Sequence, residues 1–131
     1  MSNQAIAAAL AQRLALLDLP TAYENAPFTP VAGQTFIAEN FLPVATQAVG
    51  IASNSSDNFG GIYQVTVHAP TGSTKGAGYA MAKQVQDHFQ RGLVLTYQGQ
   101  PVTIMQSSQG PSFTDGDRWL VPVSINYRGF A

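Results

Sequence analysis

The sequence predicts an α+β fold: a single domain in which two main helices pack against a mostly antiparallel β-sheet. Apolar residues recur at three- and four-residue spacing in two separate stretches, which is the helical period. Several other stretches alternate apolar and polar residues, and short Gly-containing segments join two of them at hairpin spacing. At 131 residues the chain is long enough to bury one core and too short for two.

The elements follow in order. In residues 1–20, Ile6, Leu10, Leu14 and Leu17 share a helical face while Gln4, Gln12 and Arg13 lie on others. Ser2 or Asn3 is the expected cap, and Pro20 lies beyond the end. Residues 21–33, "TAYENAPFTPVAG", have two prolines and no period, so an extended connection is expected, with a short strand near residues 22–25. Residues 35–51 are rich in strand formers, and Pro43 there calls for an edge or a bulge. The segment "ASNSSDNFGG", residues 52–61, has the composition of a surface connection. Strand alternation then puts Tyr63, Val65 and Val67 on one face and Gln64, Thr66 and His68 on the other.

The second helix is expected to run to about Gln90, with Ala77, Met81, Val85 and Phe89 inward and Ala80 beside them. Small residues in its first turns, "GAGYAMA", permit close approach to the sheet, and Gly92 ends it. "LVLTY" and "VTIMQS" around "QGQP" read as a hairpin. The last strand, "RWLVPVSINYR", is entered through the turn "DGD" and places Trp119, Val121, Val123, Ile125 and Tyr127 on one face. Pro122 lacks a donor, so this strand is expected at an edge or a bulge.

Composition narrows the function. Only 10% of residues are charged, against roughly 25% in an average soluble domain. A surface so poor in charge resembles the covered centre of an association patch. The net charge of −1 and the scattered basic residues give no footprint for specific nucleic-acid binding. With no cysteine there is no disulfide, thiolate metal site or catalytic thiol, and the chain suits a reducing cytosol. The first segment lacks a basic leader and carries Arg13 inside its apolar run, so it does not read as a signal peptide. No other apolar run approaches membrane-spanning length, so a soluble, unexported protein is expected.

The search for chemistry returns no catalytic, cofactor or metal site. "TGSTKGAG", residues 71–78, has its Lys before the Gly and no hydroxyl after the Lys, so it is not a phosphate-cradling P-loop. Met81 stands where the dinucleotide fingerprint needs its third small residue, leaving a helix start capped by Ser73 or Thr74. His68 and His88 have no ligand partners at metal spacing and read as structural. Asp115 and Asp117 flank Gly116 without the far acid of a calcium loop and read as a turn. Phe28, Phe59 and Phe113, in Pro- or Gly-rich stretches, either tuck into the core or meet a partner.

Taken in order, the first helix, "AYENAPFTPVAGQTFIAENFLP", "GIYQVTVHAPTGSTKGAGYAMAKQVQDHF" and "DGDRWLVPVSINYRG" resemble the tail terminator (tail completion) proteins of long-tailed bacteriophages. The most specific parts are Tyr-Glu-Asn-x-Pro-Phe-x-Pro at 23–30, Gly-x-Tyr-Gln-Val at 61–65 and Pro-Val-Ser-Ile-x-Tyr-Arg at 122–128. The resemblance implies a mixed sheet with helices packed against it, and a non-enzymatic six-membered ring. Such a ring caps the tail tube, stops its polymerisation and offers a surface for head–tail joining. It implies a place in the neck region of the virion tail, after assembly in the bacterial cytoplasm, with the tail-tube protein and a head-completion or neck protein as partners. DNA would pass at most through the opening.

Residues expected at a subunit or tube interface are Phe28, Phe59, Tyr63, Phe113, Arg118 and Arg128, together with the edges at Pro43 and Pro122 and the 52–61 segment. Two other readings compete: another neck or head-completion connector, and a small-ligand-binding module built on Trp119 and nearby tyrosines.

Overall fold

The computed structural model describes residues 3–44, 47–48, 57–72 and 75–130. Its elements are α1 (Asn3–Ala15), β1 (Thr21–Ala22), β2 (Phe36–Pro43), β3 (Gln47–Ala48), β4 (Asp57–Pro70), α2 (Lys75–His88), β5 (Val94–Tyr97), β6 (Gln100–Gln109), β7 (Phe113–Asp115) and β8 (Arg118–Phe130). The strands form one eight-stranded sheet in the order β1-β2-β4-β8-β6-β5, with β3 on β4 and β7 on β8. Only the β1–β2 pair is parallel among the described residues, so the sheet is mixed and mostly antiparallel.

The core lies between one face of this sheet and both helices. Ile6, Leu10 and Leu14 of α1 and Ala82, Val85 and Phe89 of the α2 region meet Val65, Val67, Val102, Ile104, Val123 and Ile125 in one buried cluster. The register pairs Val65 with Val123 and Tyr63 with Ile125, so inward residues of the two central strands stack across the ladder. The two helices are also tied end to end. Arg13 Nε and Nη2 donate to the His88 carbonyl at 3.2 and 3.0 Å, and His88 Nε2 donates to the Arg13 carbonyl at 2.6 Å. His88 is thus a structural residue that closes the last turns of both helices.

Four expectations change. The early strand is Thr21–Ala22 and not residues 22–25. The second part of the 52–61 segment is strand, since β4 begins at Asp57; its first part, like Ser2, Ser73 and Thr74, lies outside the described residues. The inward face of α2 starts from Gly78 and Ala82, while Ala77 and Ala80 are exposed. The helix rotates this way because Gly78 is the position that fits under the Trp119 ring.

Pro122 is the fourth. Its strand β8 is central and not an edge, flanked by β4 along its whole length. On the other side, pairing with β6 stops at Val123 and pairing with β7 starts at Leu120. Pro122 sits in that interval, where Gly110 donates its N–H to the Pro122 carbonyl at 2.8 Å and no donor is required of residue 122. Pro43, by contrast, does stand at an edge that is open among the described residues. The Val44 N–H points inward to the Gly60 carbonyl at 2.9 Å, so alternation turns the Pro43 nitrogen outward.

The hairpin turn Gln98-Gly99 has φ of 52° and 76°, the left-handed pair that a two-residue turn demands. A bulge between Ile104 and Gln106 then shifts the phase of β6. Ser107 thereby reaches α2, donating its hydroxyl to the Gln86 carbonyl at 3.1 Å while Gln86 Nε2 donates to the Ser107 carbonyl at 3.0 Å.

Candidate functional site

At the β2 edge, two carboxylates meet a core tyrosine. Glu39 lies opposite Val65, and Phe41 opposite Tyr63, so this acid sits among inward-facing apolar residues. Tyr63, 1% exposed, donates its hydroxyl to Glu39 Oε2. Burial first, and then the bond to Glu39, hold the Tyr63 phenol far above the usual tyrosine range, which makes it a fixed donor with no acid–base chemistry near neutrality. Glu39 Oε1 accepts the Glu24 N–H at 3.3 Å, and Glu24 Oε1 accepts the Phe41 N–H at 2.8 Å. A turn positions Glu24: Ala26 N–H donates to the Tyr23 carbonyl at 3.2 Å, and Asn25 takes φ 58°, a conformation Asn tolerates.

At the other end of β2, Phe28, Phe36 and His68 form a ring stack on the sheet face away from the helices. Phe28 and Phe36 centroids are 5.0 Å apart, and Phe36 lies parallel to His68 at 4.6 Å. Arg118 rests over the Phe36 ring, 5.0 Å from its centroid, and donates to the carbonyls of Gln34 and Val31. Burial, and secondarily the Arg118 charge, lowers the His68 pKa, with Asp115 opposing.

Beyond this stack the described residues leave the same face uncovered. Leu42 and Ile62 are direct cross-strand partners and both are exposed, as is Val44. Further across, Arg128 and Gly129 with Pro101, Thr103 and Met105 line a shallow depression of about 280 Å³.

The expected interface residues therefore divide. Phe113 is 50% exposed on β7 and Arg128 is exposed on β8. Phe28 is half-buried in the ring stack. Arg118 spends its guanidinium on the chain's own carbonyls. Phe59 and Tyr63 are buried in the core, because strand alternation turns both inward, leaving 8% and 1% of them exposed. Trp119, expected as the platform of a ligand module, packs on Gly78 and meets the Tyr79 ring edge-on at 5.2 Å, while the Tyr79 hydroxyl lies 3.3 Å from Ser112 Oγ. That ring is committed to seating α2.

Sequence reasoning missed Glu24, Glu39 and the Leu42–Ile62 pair. The signal was present in "FIAENFLP", where alternation puts Glu39 in phase with Ile37 and Phe41 and leaves Leu42 facing out. Among the described residues no group of three or more His, Asp or Glu is placed to hold a metal ion. No helix there is long and apolar enough to cross a membrane.

A family model of phage tail terminator proteins matches residues 5–127. The chain belongs to the phage tail terminator family. One solved structure is 28% identical, with a TM-score of 0.81 over 98% of this chain and 96% of that chain. No curated protein matches the sequence. Membership supports a structural role in the phage tail, and the family is structural and not enzymatic.

In this terminator-family chain the three specific motifs are packing devices. The 23–30 motif supplies Glu24 to the β2 edge and Phe28 to the ring stack. The 61–65 motif supplies Tyr63, and Gly61 where a Cβ would stand 2.7 Å from the Tyr127 hydroxyl. The 122–128 motif supplies the Pro122 interval and Tyr127, whose ring stacks on Phe41 at 5.6 Å.

Proposed function

We propose that this chain acts as one terminator domain, residues 1–131, and assembles into a six-membered ring that caps the tail tube. The ring ends tail polymerisation and offers the surface on which head and tail join, in the neck region of the virion. The observation that carries this reading is the family match over residues 5–127.

Physical character supports it. A ring requires two different patches that fit head to tail with a closing rotation. A chain with 10% charged residues has little electrostatic repulsion to overcome when copies meet. The exposed apolar residues Leu42, Val44 and Ile62 on the uncovered sheet face form one contact patch, and Phe113 with Arg128 are the other candidates, joined by Phe28 where the ring stack reaches the surface. The partners are further copies of this chain, the tail-tube protein and a head-completion or neck protein. The particle assembles in the host cytoplasm, with DNA passing through the opening and no specific nucleic-acid binding.

Electron microscopy of tail-tube protein polymerising with and without the purified chain tests this. Tubes of arrested length carrying density at one end are expected. Unaffected tube growth, with binding to portal-side components instead, would identify a different connector of the neck.

A further inference from the structure

We propose that Glu24 is an edge guard, a side chain that occupies the backbone donor through which a strand of a second copy would add to β2. An open strand edge is a template for pairing with another chain, and folded proteins suppress it locally. Among the described residues β1 covers only the start of this edge, pairing with Ile37 and Ala38. The Ile37 N–H, which points outward, donates to the Pro20 carbonyl at 2.9 Å. Past the end of β1 the next outward groups are those of Glu39, Phe41 and Pro43, by the alternation that sends the Val44 N–H inward to Gly60.

Glu24 takes the Phe41 N–H at 2.8 Å, and Pro43 has none to give. Carboxylate and proline together continue what β1 begins.

The guard is held from the core. Tyr63 donates to Glu39 Oε2, which leaves Glu39 Oε1 to receive the Glu24 N–H at 3.3 Å. The turn at Asn25 aims the Glu24 side chain back along β2. Tyr63 and Glu24 thus join two motifs, 61–65 and 23–30, that lie far apart in sequence. Contacts between copies in any native assembly then use other surfaces, and β2 stays closed to strand addition while Glu24 is seated. The baseline is the native chain's own species, so the proposal holds for any copy number.

Amide exchange read by NMR, together with sedimentation over a concentration series, tests it on the full chain carrying Glu24→Ala, Glu24→Ser or Glu24→Gln. In dilute E24A and E24S the Phe41 amide is expected to exchange roughly tenfold faster than in the native chain, with Ile37 unchanged. At high concentration both variants form species larger than the native assembly, and Phe41 regains protection. E24Q keeps a side-chain carbonyl in reach and behaves as native. Native exchange at Phe41 in E24A and E24S, or sedimentation identical to native at every concentration, overturns the proposal. Failure of both variants to fold also overturns it, because a guard is dispensable for folding.

Discussion

Gly78 lies so close beneath the indole of Trp119 that a Cβ on it would meet Cζ3 at 2.5 Å and Cε3 at 3.0 Å. The first turns of α2 therefore seat on β8 through the absence of a side chain. Gly78→Ala is expected to destabilise the fold by about 1–3 kcal/mol, the usual cost of overpacking, against the gain in helix propensity that Ala otherwise brings. The single tryptophan reports the change, so its emission shifts together with the denaturation midpoint. Gly76, exposed in the same helix, is the control: Gly76→Ala is expected to be neutral or stabilising by up to about 1 kcal/mol.

Two buried tyrosines separate a used hydroxyl from an unused one. Tyr63 donates to Glu39, whereas the buried Tyr127 hydroxyl has no hydrogen-bond partner among the described residues, and burial raises its pKa to about 12. Tyr63→Phe is expected to cost about 1–2 kcal/mol, because it leaves a half-buried carboxylate short of a donor. Tyr127→Phe removes an unpaired polar atom and is expected to leave stability unchanged or slightly raised. Urea denaturation of the two variants beside the native chain checks the contrast.

Acidification acts through His68. Its folded pKa is depressed from 6.5, by burial first and by Arg118 second, so the unfolded chain binds this proton more readily. The stability that the neutral ring confers is complete above pH 6.5 and falls as pH drops from there toward the lower folded value. Denaturation at pH 8 and at about pH 5.5 measures the slope, and His68→Gln is expected to flatten it. Arg118→Ala is expected to move the His68 titration upward in an NMR experiment.

Arg118 also fastens the proline-rich connection. Through the carbonyls of Val31 and Gln34 and the Phe36 ring it pins residues 31–34 to the sheet. Arg118→Ala is expected to cost about 1–2 kcal/mol and to raise amide exchange across that segment. Arg118→Lys does not restore it, since an ammonium lacks the planar fork that serves two carbonyls at once.

Much of the frame was legible because local period and turn chemistry dictated it. Ile6, Leu10 and Leu14 announce α1, Tyr63, Val65 and Val67 announce the inward face of β4, and Gln98-Gly99 announces the β5–β6 hairpin. What failed to show depended on partners distant in sequence. Pro122 suggests an edge until Gly110 and the gap between β6 and β7 supply a place for it inside the sheet. Ala77 and Gly78 are both small in sequence terms, and the Trp119 ring, which leaves no room for a Cβ at residue 78, decides which faces inward. Of the candidate site, Arg128 was legible near the end of the last strand, whereas Phe59 and Phe113 were hidden by Pro- or Gly-rich settings that read as loops although the residues lie in β4 and β7. Alternation signals that Glu39 faces inward, but its links to Glu24 and Tyr63 did not show, because they join a turn and two strands through side-chain reach, which periodicity does not encode.

The most direct test of the account is the copy number of the assembled species, read by native mass spectrometry of the purified chain alone and after addition of tail-tube protein. A closed species of six copies, formed alone or on the tube, is the predicted result. A chain that stays a single copy at high concentration and also with tube protein present would contradict it.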